Sequence, residues 1–210
     1  HGGPTSQARA ALSLERQAFT SRGFAVVDVD YGGSTGYGRR FRDQLREQWG
    51  IVDVDDCTNV AIWLAEQGLA DRRRLAIRGG SAGGYTTLAS LCFKDVFTAG
   101  TSFFGLGDLE AFTKITHKFE SRYMDILIGP YPEQAERFRQ RSPDRHADRI
   151  SCPVLVMQGA DDKIVSESAS ETISGVGTCP VMHTIGIESI IASVSPVTAL
   201  VAPGPEVTST

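Results

Sequence analysis

The sequence predicts an α/β fold, a mostly parallel sheet with helices on both faces. Two observations carry this: helical and strand-like hydrophobic periods alternate along the chain, and the strand-like runs are short, continuous and apolar. A third narrows it, a glycine-rich turn placed directly between one such run and a helix at 79–84. The first element is an Ala-rich helix over residues 8–21, closed by Gly23. Phe24 to Val29 is a buried strand, bounded by Gly23 and the turn region Tyr31–Gly38. A second helix runs from Asp53 to Gln67, with Val54, Cys57, Val60, Ala61 and Leu64 at helical spacing. Asp53, Asp55 and Asp56 crowd its first turn, where the helix dipole favours negative charge; the competing reading, a metal site, is the weaker one. Arg74–Arg78 is the next strand, followed by the helix 82–93. Ala99–Phe104 and Pro153–Met157 are further strands, with short helices over 108–116, 119–128 and 133–141 between them.

Length and composition bound the function. The 210 residues suffice for one domain with a sizeable core. A net charge of -4 and a pI near 5.6 argue against nucleic-acid or anionic-membrane partners. Two basic clusters, Arg72–Arg74 and Arg137–Arg149, read as solvated faces, the second being interleaved with Asp144 and Asp148. No run of 18 apolar residues could span a membrane. The four cysteines form no C-x-x-C pair and no metal-ligand spacing, which predicts free core thiols and a reducing, cytoplasmic compartment. No metal and no cofactor is expected. The start at His1-Gly2-Gly3-Pro4, without Met or signal peptide, is expected to be that of a fragment. After Val165 the composition shifts: residues 166–210 hold no Lys or Arg. This divides the chain into a folded region 1–165 and a divergent tail 166–210.

Gly79-Gly80-Ser81-Ala82-Gly83 fits G-x-S-x-G in the position its mechanism requires, after a strand and before a helix. Such a turn presents Ser81 as a nucleophile at the carboxyl edge of the sheet. It leaves the Ala82 N–H to face a developing oxyanion. Phosphate binding is the alternative for a glycine-rich turn; no Lys follows, and the spacing does not match G-x-G-x-x-G. Upstream, His1-Gly2-Gly3 can supply a second oxyanion donor, the Gly3 N–H, with His1 itself read as structural. Gly159-Ala160-Asp161-Asp162-Lys163-Ile164-Val165 follows a late strand, where the acid of a triad belongs. Asp162 fits G-x-x-D-x-x-V better than Asp161 does. Chain order Ser…Asp…His leaves His183 as the candidate base, against the reading of a half-buried strand residue; His117 and His146 precede the acid.

Several stretches resemble the prolyl oligopeptidase family of serine peptidases, especially its bacterial dipeptidyl aminopeptidase/acylaminoacyl-peptidase branch. They are His1–Thr5, Tyr31–Gly38, Trp49–Asp56, Arg78–Tyr85, His117–Tyr123, Ser142-Pro143 and Gln158–Asp162, all within residues 1–165. The resemblance implies an α/β-hydrolase catalytic domain, truncated at its N-terminus and divergent at its C-terminus. Ser81 is then nucleophile, Asp162 acid, and Gly3 and Ala82 oxyanion donors. It further implies short peptide substrates, and a β-propeller domain, absent here, against which the domain normally packs. The family's G-H-G-F loop with the catalytic histidine has no counterpart after Val165. Two other readings therefore stand beside the peptidase: a carboxylesterase of the same fold, and a non-catalytic remnant that binds peptides or a partner. Loss of the first strands and the last helix is also expected to expose apolar faces of the sheet and of the 82–93 helix. Val181–Ile191 has the composition to replace a missing strand, and Pro203–Thr210 reads as a loose tail.

Overall fold

The computed structural model describes residues 1–115, 122–159 and 198–201. Among these the sheet has five strands in the order β1-β5-β2-β3-β4: β1 (Ala25–Asp28), β2 (Leu75–Gly80), β3 (Ala99–Phe103), β4 (Val154–Met157) and β5 (Thr198–Val201). The principal helices are α1 (Leu14–Thr20), α2 (Arg39–Arg42), α3 (Val52–Glu66), α4 (Ala82–Phe93), α5 (Leu109–Ile115), α6 (Tyr123–Leu127) and α7 (Ala135–Arg141), and a 3-10 segment spans Pro143–Arg149.

β2, β3 and β4 are parallel, with Ala76 opposite Ala99 and Gly100 opposite Val154. The departure from an all-parallel sheet is β5. It runs antiparallel between β1 and β2, so that Thr198 faces both Asp28 and Arg78, and Val201 faces both Ala25 and Leu75. Facing strand edges must find partners for their N–H and C=O groups, and a short β-branched run meets that need in either direction. The inserted strand lies at 198–201, beyond the Val181–Ile191 stretch, which falls outside the described residues.

The first helix starts six residues later than its periodicity suggests. Asp30 draws the Ala8 N–H into a hydrogen bond of 2.7 Å, and Ser13 caps the helix by accepting from Arg16 N. α1 buries none of its own residues; it is tied to the sheet through charge. Arg16 pairs with Asp28 at 2.6 Å. Arg78, 7% exposed in mid-strand, pairs with Glu15 while its guanidinium lies over the rings of Phe19 and Phe103 at 5.2 and 4.9 Å. Buried arginine is tolerable when its charge and planar face are both matched in this way.

α4 is the centre of the core. Every residue from Ala82 to Cys92 is buried, which corrects the expectation that this helix exposes an apolar face. The cover comes from α3 and from the 3-10 segment, where the Pro143 carbonyl accepts from Cys92 Sγ at 3.5 Å. The second basic cluster also differs from a solvated face. Arg139 and Arg145 converge on the buried carboxylate of Glu110, and Arg137 pairs with Glu47 at 2.8 Å. Cys57 and Cys92 are free thiols, and both are buried, as is Cys152. Burial pushes the Cys57 thiol well above its usual range and that of Cys92 up to about 12.

Candidate active site at the carboxyl edge of the sheet

Ser81 links β2 to α4 with φ 56° and ψ -123°, a conformation costly for a residue with a side chain. Two hydrogen bonds hold it there: its N–H donates to the Phe103 carbonyl, and its carbonyl accepts from Tyr85 N, each at 3.0 Å. The small residues around it are required by distance. A Cβ on Gly79 would lie 2.3 Å from the Gly83 carbonyl oxygen, and one on Gly84 2.6 Å from Gly105 Cα. Strand and helix can therefore meet at this sharp angle only with glycine on both sides. Ser81 is half-buried, and Ala82 begins α4, so its N–H is one of the helix donors without an intrahelical acceptor.

Gly3 lies on the second loop at the same edge. β1 and β2 both run antiparallel to β5, so their C-terminal ends coincide, about 10 Å apart across one intervening strand. Residues 1–8 are fastened onto the chain that leaves β1. Tyr31, fully buried, donates from its hydroxyl to the carbonyls of His1 (3.0 Å) and Pro4 (2.9 Å). Thr5 and Tyr123 share a hydroxyl bond of 3.0 Å, and Thr35 N–H donates to the Ser6 carbonyl at 2.8 Å. Gly3 itself has φ +120°, and a Cβ there would lie 2.7 Å from Ser6 N. The turn accepts glycine because no side chain fits.

His1 is part of this fastening. Its ring stacks on Tyr31 at 4.3 Å, Nδ1 meets the Gly2 carbonyl at 3.0 Å and Nε2 meets Ser34 Oγ at 2.6 Å. Ser34 spends its own proton on the Tyr31 carbonyl at 2.8 Å. Both ring nitrogens thus face acceptors, and Asp30 lies 3.8 Å from Nε2. The imidazole is occupied in holding the loop, as its reading as a structural residue requires.

Behind the nucleophile helix sits a buried carboxylate whose role the sequence reading missed. Asp53 accepts from Thr86 Oγ1 and from Gly50 N, each at 2.6 Å, and burial raises its pKa from 3.8 to about 6. Asp55 instead pairs with Lys94, and Asp56 accepts from Gly32 N. The three acids of the first turn therefore serve three separate partners, and among the described residues no group of acids or histidines is placed to hold a metal. The sequence signal for Asp53 and Tyr31 was their place within the family-like stretches, without any hint of their partners.

β4 ends at the same edge, and the described chain continues to Gly159. Asp161, Asp162 and His183 lie outside the described residues, whereas Ser81, Ala82 and Gly3 are described. No helix among the described residues is long and apolar enough to cross a membrane.

Comparison with known proteins agrees with this geometry. Residues 10–174 match the model of the prolyl oligopeptidase family. Dipeptidyl aminopeptidase BIII of Pseudoxanthomonas mexicana is 31% identical over 179 residues, 82% of this chain and 26% of its own length. The chain is also similar to a solved puromycin-hydrolyzing peptidase of Mycobacterium tuberculosis, at 52% identity and TM-score 0.85, covering 89% of this chain and 29% of that one. The acylaminoacyl peptidase of Pyrococcus horikoshii superposes with TM-score 0.79 at 25% identity, covering 90% of this chain and 32% of that one. The chain thus spans about a quarter to a third of the length of these relatives. A serine held at positive φ between strand and helix, and a family match over most of the chain, place this protein in the prolyl oligopeptidase family.

Proposed function

We propose that this chain is a serine-peptidase catalytic domain that cleaves short peptides, of aminopeptidase or oligopeptidase type, with Ser81 as nucleophile. The observation that carries the reading is the backbone of Ser81, held at φ 56° by flanking glycines whose Cβ atoms could not be accommodated. Strain of this kind is retained where it presents a side chain for chemistry. In the reaction, Ser81 Oγ gives its proton to a base as it bonds to the scissile carbonyl carbon. The oxyanion accepts from Ala82 N–H and Gly3 N–H. As the C–N bond breaks, the base returns the proton to the leaving amine, and water then hydrolyses the acyl-enzyme by the same route. Asp162 is the acid that orients the base, and His183 is the base that chain order allows. A β-propeller as the usual packing partner rests on the family resemblance, and the share of the relatives' length that this chain spans leaves room for it. The buried free thiols suit a reducing, cytoplasmic setting.

Fluorophosphonate labelling of the purified chain tests this. Labelling abolished by Ser81→Ala and reduced about a thousandfold or more by His183→Gln is the expected result. A folded chain whose Ser81 stays unlabelled is instead a non-catalytic remnant, and labelling indifferent to His183 assigns the base to another group.

A further inference from the structure

A cleft of about 550 Å³ lies between the first turn of α3, the C-terminal end of α4 and α7. Phe93 and Lys94 on its wall are separated from Ser81 by the whole of α4, about 18 Å at the helical rise. It is therefore a different place from the candidate active site. Ile51, Val54 and Phe93 give it an apolar side. Its other side is polar and charged, and the charges are matched unevenly. Lys94 pairs with Asp55 at 2.6 Å, Arg137 with Glu47 at 2.8 Å, and Glu136 lies 3.7 Å from Arg139. Arg141 has no such partner. Its Nη1 donates to the carbonyls of Glu47 and Trp49, each at 3.0 Å, and among the described residues no carboxylate comes within ion-pair reach.

A guanidinium taken partly out of water and met only by carbonyl dipoles is under-compensated. Burial does lower the pKa of Arg141, while Glu47 and Asp53 act on it only from a distance. Among the described residues that line the cleft, the charge without an ion-pair partner is thus the positive one of Arg141, with the buried Asp53 behind it on Gly50 N. Beside Arg141 lies apolar surface, with Ile51 39% exposed. Gln134 adds an amide donor on the wall, while the Gln140 amide donates to Glu136 at 3.2 Å. A planar guanidinium edge matches a carboxylate in two-point fashion, and the apolar side favours a ligand with a carbon body over an inorganic anion. The volume falls in the range of small-molecule sites, about 300–1,000 Å³. We propose that this cleft binds a small monocarboxylate with an apolar body, the carboxylate on Arg141 and the body against Ile51 and Phe93, over the buried Val54.

Hexanoate is the probe, added to the full chain and followed by the methyl resonances of Ile51 and Val54. Saturable shifts at these methyls, with Kd about 1 mM or tighter, are expected. Hexanol and hexylammonium are expected to produce none at the same concentration. Replacing Arg141 would also remove its bonds to two carbonyls and endanger folding, so the variant is Ile51→Ser, at an exposed position on the apolar side. It removes the exposed part of the apolar side at the N-cap of α3, where serine is a favoured residue, and is expected to weaken hexanoate at least about fivefold, read at the Val54 methyls, while leaving the fold intact. Equal shifts with hexanol or hexylammonium, unchanged affinity in Ile51→Ser, or no saturable shift with hexanoate would each overturn the proposal.

Discussion

Replacing Asp53 with asparagine is expected to remove a pH-dependent penalty on folding. Asp53 is completely buried and its pKa rises from 3.8 to about 6, first because burial disfavours the charged form, against the opposing hydrogen bonds from Thr86 and Gly50. Tyr31, Tyr85 and Cys57 pack around it as further titrating groups, and all three stay neutral because burial raises their own values. The folded state therefore holds the Asp53 proton more tightly than the unfolded state does. Between about pH 4 and 6 the unfolded chain has lost this proton while the folded chain retains it. The contribution of this group to stability thus declines as pH rises through that window and levels off above it. A shift of about two pH units corresponds to about 3 kcal/mol.

The neighbouring bonds explain why a neutral group suits the site. When Asp53 is protonated its O–H can donate to Thr86 Oγ1, and Thr86 can then donate to the Ala82 carbonyl 3.1 Å away. An asparagine reproduces that pattern, with its amide in place of the carboxyl proton. Urea unfolding at a series of pH values should show Asp53→Asn equal to the parent near pH 4 and more stable by about 1–3 kcal/mol above pH 7. A variant equal to the parent near pH 4 but less stable than it above about pH 6 would refute the reasoning, since it would mean that the carboxylate charge itself supports the fold.

Three further outcomes follow from the geometry. Gly79→Ala drives a Cβ to within 2.3 Å of the Gly83 carbonyl, and should cost about 3 kcal/mol or more in thermal or urea unfolding. Tyr31→Phe leaves two buried carbonyls without their donor, which should cost about 1–3 kcal/mol and raise amide exchange across residues 1–8, where a purely local packing change would not. Cys57, Cys92 and Cys152 should resist iodoacetamide at pH 8 in the native chain and react fully in urea, as read by mass spectrometry of each peptide.

Much of the edge that carries the candidate site could be read from local pattern. A continuous apolar run, five small residues and a helix period are all that a strand–turn–helix with a presented serine needs, and each is encoded within the span 74–93. The parallel direction of β2, β3 and β4 follows from the alternation of strand and helix, since a helix between two strands returns the chain to the same edge. The length of the first helix was not legible. Residues 8–13 have helical composition, yet Asp30, more than twenty positions away, claims the Ala8 N–H for the loop beside the nucleophile.

What the sequence by itself determined is the set of local conformations: where the serine turn forms, which residues must be glycine, and which helix lies behind them. The tertiary structure alone decided the partners of the charged and polar groups. Asp53, Asp55 and Asp56 look alike within one helical turn, yet one is a buried acid on the nucleophile helix, one an ion pair and one an anchor for the loop at Gly32. The direction of β5 belongs to the same class, because an apolar strand pairs equally well either way until both neighbours are in place. Local sterics depend on neighbours along the chain and can be read from it. Burial and pairing depend on groups that only folding brings together.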